Sequence, residues 1–199
     1  MKYKIVNGRC VALQSFGSVR EGDVGGFVEE GCLSQTGNCW VFDDARVSGS
    51  ARISGNAQVC QEARVSGSAR IVNNAVVYGN AAVYGNADVY GYVSDWAEVF
   101  GNSVVSGVVY GRAWVFGDAV VSGRVNSDAM VNHDVSGTAI VITGLGPWTI
   151  TVTDRFIRIG CVCKTKKWWG CVTDTKINTL DPRALEFWKK SKEVILSLC

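Results

Sequence analysis

From Val41 onward an aliphatic residue returns at every sixth position: Val41, Val47, Ile53, Val59, Val65, Ile71, Val77, Val83 and Val89. A small residue stands two places before each, Cys39 for the first and alanine for the others. In Ala-x-Val the two apolar residues share one face of a short strand, and the residue between them faces the other way. The Gly or Asn that follows supplies a turn, because both tolerate positive φ. So short a strand, followed at once by a turn, does not close a hairpin sheet. It pairs in parallel with the strand one full coil away, and three such sides make a triangular coil of 18 residues. Val and Ile point into the prism, where each buried side chain contributes roughly 1.5–3 kcal/mol. Low-complexity disorder is a poor match, since disordered repeats do not hold β-branched residues at one phase.

The beat then changes in an ordered way. The anchors after Val89 are Val93, Val99, Val105, Val109, Val115, Val121, Val125 and Val131, in steps of four, six, six, four, six, six, four and six. One side of each coil has lost two residues, which leaves a coil of 16. The shortened steps carry Tyr90-Gly91-Tyr92, Ser106-Gly107-Val108 and Ser122-Gly123-Arg124, and they predict a tighter corner on a single edge. Val135 and Val141 extend the pattern less regularly. About six coils result, stacked at the inter-strand spacing of sheets.

Both ends of such a coil must be covered, because they expose unpaired strand edges and apolar core. Residues 1–40 are predicted as an N-terminal β cap and lead-in coil, with short strands over 2–6 and 10–13 and Leu33 inward. Residues 41–143 are the repeat. Residues 144–199 leave it and read as a small α+β unit. Within that unit 149–153 and 156–161 alternate across Asp154-Arg155 as a β-hairpin. Asp181-Pro182 form an N-cap and first helical position. An amphipathic helix follows over 183–198, with Leu185, Trp188, Ile195 and Leu198 on one face. The predicted fold is thus mainly β: a β-helix, an N-terminal β cap, and a C-terminal hairpin plus helix.

The 199 residues carry a formal charge of +2, which makes no general case for nucleic-acid binding. The first residues lack the apolar core of a signal peptide, and no stretch is long enough to span a bilayer. A cytoplasmic protein with no membrane partner is expected. The eight cysteines include no CxxC pair. Cys161, Cys163 and Cys171 cluster without a fourth ligand nearby, so reduced thiols packed as small apolar residues are favoured over zinc. No metal or cofactor is expected.

With these flanks in place, the chain resembles the hexapeptide-repeat, left-handed β-helix proteins encoded by tailed phages and prophages. The resemblance lies in Gly25-Gly26-Phe27-Val28-Glu29, in 33–41, and in the repeats themselves. The tail resembles a C-terminal module common on those proteins, through 140–145, Ile150-Thr151-Val152-Thr153-Asp154, Ile159-Gly160-Cys161 and Phe187-Trp188-Lys189. Members often carry a His shortly after the Ile-Gly-Cys motif; here Val162-Cys163-Lys164-Thr165-Lys166 has none. The resemblance implies a left-handed coil and a phage origin, and names no reaction.

Acyltransferases also resemble this core, but they need a general base, usually His, at a cleft between subunits. The single candidate is His133, which takes the Gly place of the repeat, and no long loop interrupts the coil. A non-enzymatic protein is therefore expected. Its binding candidates come from the period, because residues one coil apart become neighbours. Arg46 stacks over Arg64 and Arg52 over Arg70, either as solvated side chains covering the wall or as a phosphate or carboxylate site. Tyr84, Phe100 and Phe116 form an aromatic column with Trp114 close by and Tyr110 on another side; this predicts an interface of a homo-oligomer, trimer or dimer. Lys164, Lys166 and Lys167 beside Trp168 and Trp169 form either an anionic-ligand site or a loop packed on the helix. The expected function is a non-catalytic binding protein in the infected host's cytoplasm. It would act in counter-defence by sequestering a small anionic, nucleotide-like signal or a host defence protein. The alternatives are a structural, virion-associated or self-assembling scaffold and, disfavoured, an acyltransferase.

Overall fold

The computed structural model describes residues 1–181 and 183–197. The chain divides into two compact units, residues 1–136 and 137–199.

In the first unit, two-residue strands recur at every inward anchor from Trp40–Val41 to Met130–Val131. They stack into three parallel sheets, one per side. One wall runs through Val24–Val28, Arg46–Val47, Arg64–Val65, Ala82–Val83, Glu98–Val99, Trp114–Val115 and Met130–Val131. A second runs from Trp40–Val41 to Arg124–Val125, and a third from Arg52–Ile53 to Val120–Val121. The result is a parallel β-solenoid of about seven turns. That is one more than the period predicts, because Val24–Val28 already pairs in parallel with Arg46–Val47. Register confirms both coil lengths: Arg46 opposes Arg64 and Arg52 opposes Arg70, whereas Val76 opposes Tyr92 and Ala82 opposes Glu98.

The alternation explains the core. Ala45, Val47, Ala63, Val65, Ala81 and Val83 are all buried, while Arg46 and Arg64 between them are exposed. Main-chain bonds climb from coil to coil, as from Arg46 N–H to Ala63 C=O (2.9 Å) and from Ser48 N–H to Val65 C=O (3.0 Å). At the six-residue corners the turn position has positive φ, held by Gly49, Gly55 and Gly67 but also by Asp43, Gln61, Asn73 and Asp95. Three of these non-glycine residues gain a compensating bond to the next coil. Asp43 accepts from Gln61 N–H (2.9 Å), Gln61 from Gly79 N–H (2.9 Å) and Asp95 from Gly111 N–H (2.9 Å).

The shortened corners work differently. Gly91 and Gly107 do not have positive φ; space is what excludes a side chain. A Cβ on Gly91 would lie 2.1 Å from the Gly107 carbonyl oxygen, and one on Gly107 2.0 Å from that of Gly123. Both amides of such a corner share one acceptor: Ser106 and Gly107 N–H donate to Val121 C=O at 2.8 and 3.0 Å.

The N-terminal end is closed by antiparallel strands. Tyr3–Val6 pairs with Arg9–Ala12, which pairs in turn with Val24–Val28. Gly25 and Gly26 let the lead-in strand lie against the coil: a Cβ on Gly25 would sit 2.3 Å from Val41 C=O, and one on Gly26 2.5 Å from Ala45 C=O. Trp40 fills the end of the prism, edge-on to Tyr3 and Phe16. Leu33 is inward and bridges Ile53, as the imperfect lead-in coil predicts. Cys10, Cys32 and Cys39 are buried free thiols.

At the other end of the repeat, Val135 still bridges Val121. Val141 does not continue the coil: Ile140–Ile142 pairs antiparallel with Ile150–Val152. Its sequence spacing fits both fates, and the antiparallel partner offers the longer ladder. The expected hairpin forms between Ile150–Val152 and Phe156–Ile159, and Val162–Thr165 adds a fourth strand. Three helices follow: α1 (Lys166–Cys171), α2 (Asp174–Asn178) and α3 (Ala184–Leu196). The segment expected as a lysine–tryptophan loop is thus a strand end and a short helix, capped by Thr165 Oγ1 accepting from Trp168 N–H (3.2 Å). On α3 the buried face is Phe187, Trp188, Ser191 and Ile195, with Leu185 only half-buried. Phe187 takes the place expected of Leu185. Asp181 accepts from Arg183 N–H (2.8 Å) before the helix; the positions predicted for Pro182 and Leu198 lie outside the described residues, as does Cys199.

Two predictions follow from this packing. Gly107→Ala should destabilise the solenoid by roughly 1–3 kcal/mol, the usual cost of overpacking, because the carbonyl it meets belongs to a hydrogen-bonded corner. Urea unfolding followed by circular dichroism measures it; Gly170→Ala, with open space around the added methyl, should show no such loss. The second concerns pH. Burial pushes the Cys10 thiol from an ordinary 9.0 up to about 11, and the Tyr3 phenol from 10.0 up to about 12. The folded state therefore retains protons that the unfolded chain has released, so their contribution is full below pH 9 and is lost as pH rises through 11 and 12. Cys10→Ala should flatten the alkaline fall in melting temperature between pH 9 and 11.

Candidate functional site

The outward position of the first wall reads, coil by coil, Phe27, Arg46, Arg64, Ala82, Glu98, Trp114 and Met130. One face thus passes from cationic to aromatic along the stack. At its cationic end the Arg46 guanidinium lies 4.3 Å from the centre of the Phe27 ring, and that of Arg9 lies 4.2 Å from the same ring. Arg9 is committed elsewhere: it pairs with Asp44 and donates to the carbonyls of Asp43 (2.9 Å) and Gly25 (3.0 Å). Arg46 and Arg64 form no ion pair among the described residues, although adjacent strands hold them side by side. Arg46 also lines a surface depression of about 370 Å³ with Phe27, Glu29 and Ser48. Glu29 is occupied there by the Gly49 N–H at 2.6 Å. Two neighbouring guanidinium groups that form no ion pair among the described residues can present a fork to a phosphate or carboxylate, although the Glu29 carboxylate shares the depression with Arg46.

The third wall differs. Arg52 and Arg70 are register neighbours, but the next residue along is Asp88, which pairs with Arg70 at 3.3 Å. Arg52 keeps no ion pair among the described residues. The two predicted arginine columns therefore stand on separate walls, and one of them is partly neutralised by its own solenoid.

The aromatic column forms as the 16-residue coil requires. Tyr84 stacks on Phe100 with centroids 4.9 Å apart and planes 2° apart, and Phe100 on Phe116 at 5.5 Å and 12°. These rings are half-buried. The Tyr84 hydroxyl donates to Glu98 at 2.9 Å, which ties the ladder to the first wall. Tyr110 is half-buried elsewhere and its hydroxyl accepts from Asn126 at 3.1 Å.

Two exposed tryptophans lie beside this ladder. Trp114 is 43% exposed and Trp96 63%. They enclose a depression of about 340 Å³ together with Glu98 and Arg112. Trp96 and Arg112 are corner residues of consecutive coils, joined by the bond from Trp96 N–H to Gly111 C=O (2.8 Å), and Glu98 opposes Trp114. Two tryptophans, a guanidinium and a carboxylate thus alternate around one hollow. Sequence reasoning passed over Trp96 and Arg112. The signal was present, since 96 plus one coil of 16 is 112, but no period of its own marks a corner tryptophan.

In the second unit, Lys164 and Lys167 are exposed and Lys166 is half-buried. The Lys164 ammonium lies 5.9 Å from the Trp168 ring centre. Trp169 belongs to the core: it is 2% exposed, donates its indole N–H to Ile157 C=O (2.8 Å) and packs 5.2 Å from Trp188. Trp169 thus packs on α3 as expected, though from a helix and not from a loop, and Trp168 is half-buried against it. His133 is half-buried in a four-residue step and lacks the positive φ of the glycine corners; its Nδ1 lies 3.5 Å from Asn132 Oδ1. No described helix is long and apolar enough to cross a membrane. No protein-family model matches the chain, and no curated protein matches it.

Burial, then the bond to Glu98 and its negative charge, push the Tyr84 phenol from 10.0 up to about 12. Glu98→Gln removes the charge and keeps an acceptor, so Tyr84 should ionise at lower pH than in the parent protein. Tyrosinate absorbance, read as the difference between the parent and variant titrations, checks the direction.

Proposed function

We propose that the chain is a non-catalytic binding protein of phage or prophage origin, acting in the cytoplasm of the infected cell. In this reading a left-handed, homo-oligomeric solenoid presents a rigid arginine surface. That surface captures a small anionic, nucleotide-like signal, or an acidic face of a host defence protein, and so blunts host defence. The observation that carries the reading is the pair Arg46 and Arg64, held in register with no carboxylate partner among the described residues. Like charges one strand apart repel unless water or an anion separates them, so the site gains from an anionic occupant. The hollow bounded by Trp96, Glu98, Arg112 and Trp114 adds planar stacking surface of the kind that holds a base, with the Glu98 carboxylate suited to the base and not to the phosphate.

A second reading, a self-assembling scaffold or virion element, is favoured by the exposure of Trp96 and Trp114 on one hollow. Native mass spectrometry of protein purified from infected cells separates the two, since it reports both the oligomer and any retained small molecule.

Calorimetric titration of the full chain with ADP-ribose and with a cyclic dinucleotide tests the preferred reading. At least one should bind, and binding should weaken on the order of tenfold or more in Arg46→Ala/Arg64→Ala, about 1.4 kcal/mol or more. Added salt should weaken binding too. An unchanged affinity in a folded double variant, or no binding of either nucleotide, rejects capture of a nucleotide-like signal at this surface.

A further inference from the structure

The three walls of the solenoid differ in what their outward positions carry. On the first wall these include Arg46, Arg64 and Glu98, and on the third Arg52, Arg70 and Asp88. The second wall, from Trp40–Val41 to Arg124–Val125, is uncharged at its centre. One outward column there reads Gln58, Val76, Tyr92, Val108 and Arg124, each the register neighbour of the next. The residues that follow the inward valines, Tyr78, Ser94 and Tyr110, form the column beside it. Tyr92 is 50% exposed and Tyr78 37%, while Val76, Val108 and Tyr110 are half-buried. A tyrosine-rich centre without charge, bounded by polar ends, has the composition of a protein interface.

The order of these residues points to the partner. Both columns are symmetric about the coil of Tyr92. Val76 and Val108 stand one strand to either side of it, Gln58 and Arg124 two strands, and Tyr78 and Tyr110 flank Ser94. A second copy laid antiparallel, with a two-fold axis parallel to the Tyr92–Val93 strand, sets each residue against its counterpart. Tyr92 meets Tyr92, Val76 meets Val108 and Tyr78 meets Tyr110. At the rim the Arg124 guanidinium meets the Gln58 amide oxygen, an acceptor. Every contact off the axis occurs twice, as an isologous interface requires. A parallel copy would bring the two Arg124 side chains to one level. The antiparallel copy separates them by four strand spacings, about 19 Å.

We propose that the second wall is the interface of an antiparallel homodimer centred on Tyr92. It gives the homo-oligomer of the preceding reading its partner and its contact face, and it rests on that part of the reading alone. Arg46 and Arg64 belong to the first wall, so nucleotide capture and this interface can fail separately. Tyr110, expected at an interface, follows a strand of the second wall, whereas Tyr84, Phe100 and Phe116 follow strands of the first. Tyrosine suits such a face, because its ring buries apolar area while its hydroxyl finds a polar partner. A patch four strand spacings long is small for a specific interface, which predicts a reversible dimer with a dissociation constant on the order of micromolar.

Sedimentation velocity of the full chain, over a concentration series that spans this constant, is the test. The parent protein should pass from monomer to dimer. Tyr92→Lys sets two ammonium groups face to face on the axis and should weaken association roughly tenfold or more, since like charges are costly across an interface. Val120→Lys adds the same charge to the third wall and should leave association unchanged. Val76→Glu and Val108→Lys should each weaken the dimer. The double variant Val76→Glu/Val108→Lys should recover most of that loss, because the antiparallel register opposes position 76 of one copy to position 108 of the other. Circular dichroism establishes that each variant is folded, and if Tyr92→Lys is not, the valine pair decides. A monomer at every concentration overturns the interface and the homo-oligomer together. A trimer, a dimer indifferent to Tyr92→Lys or equally weakened by Val120→Lys, or a double variant no better than its singles overturns this interface alone.

Discussion

The first unit depends on one constraint: every inward side chain must fit beneath the same side chain of the next coil, because main-chain bonds tie the coils together. Arg46 N–H reaches Ala63 C=O, and Ala82 N–H reaches Ala97 C=O, at 2.9 Å each. That ladder fixes the coil-to-coil distance, and the prism can then hold only residues of constant size. Alanine and β-branched aliphatics meet the condition, and those at inward positions are buried from Ala45 to Val135. The spacing that packs Val over Val also places the residues between them in outward columns. Arg46 beside Arg64, and Phe100 beside Tyr84 and Phe116, are consequences of the core and not independent devices.

The corners show how two kinds of turn serve one stack. The six-residue corner needs a left-handed residue, and a polar side chain can hold that place when it captures the amide of the coil above, as Asp43, Gln61 and Asp95 do. The four-residue corner needs no unusual φ. There the stacked backbones approach so closely that only glycine fits at Gly91 and Gly107. Space alone holds glycine at the short corners, whereas at the long ones a left-handed φ and a close backbone act together: a Cβ on Gly67 would lie 2.9 Å from Gly85.

The binding surfaces inherit these rules. A solenoid cannot easily move one side chain without its neighbours above and below, so charge on its walls is set by sequence period and cancelled only where the period offers an opposite charge. Asp88 does this for Arg70; nothing comparable stands beside Arg46 and Arg64. The second unit obeys the ordinary logic of a small core, in which four antiparallel strands and three helices gather large aromatics around Ile150, Ile157 and Ile177. Large rings pack less completely than Val and Ala columns, and a cavity beside Trp188 lies among them.

The sequence by itself determined the parallel three-sided coil, its two coil lengths, the inward columns and the vertical neighbours, because a fixed period converts directly into position. It also carried the hairpin between Ile150–Val152 and Phe156–Ile159. Tertiary structure alone decided the rest. Whether Val141 joined the coil or an antiparallel sheet depended on which partner strand was available. That Asp88 lies one coil beyond Arg70 was legible from the period, but that the two side chains close an ion pair was decided by their conformations. Trp96 and Arg112 stand one coil apart, but which corner side chains gather around one hollow with Glu98 and Trp114 was decided by the turn. In sequence Trp169 stands in a lysine-rich segment and Trp188 on the apolar face of a helix, and both prove to be buried. Only packing assigned one an acceptor and left the other without one among the described residues, because hydrogen bonding in a core depends on the direction of single atoms and not on residue type.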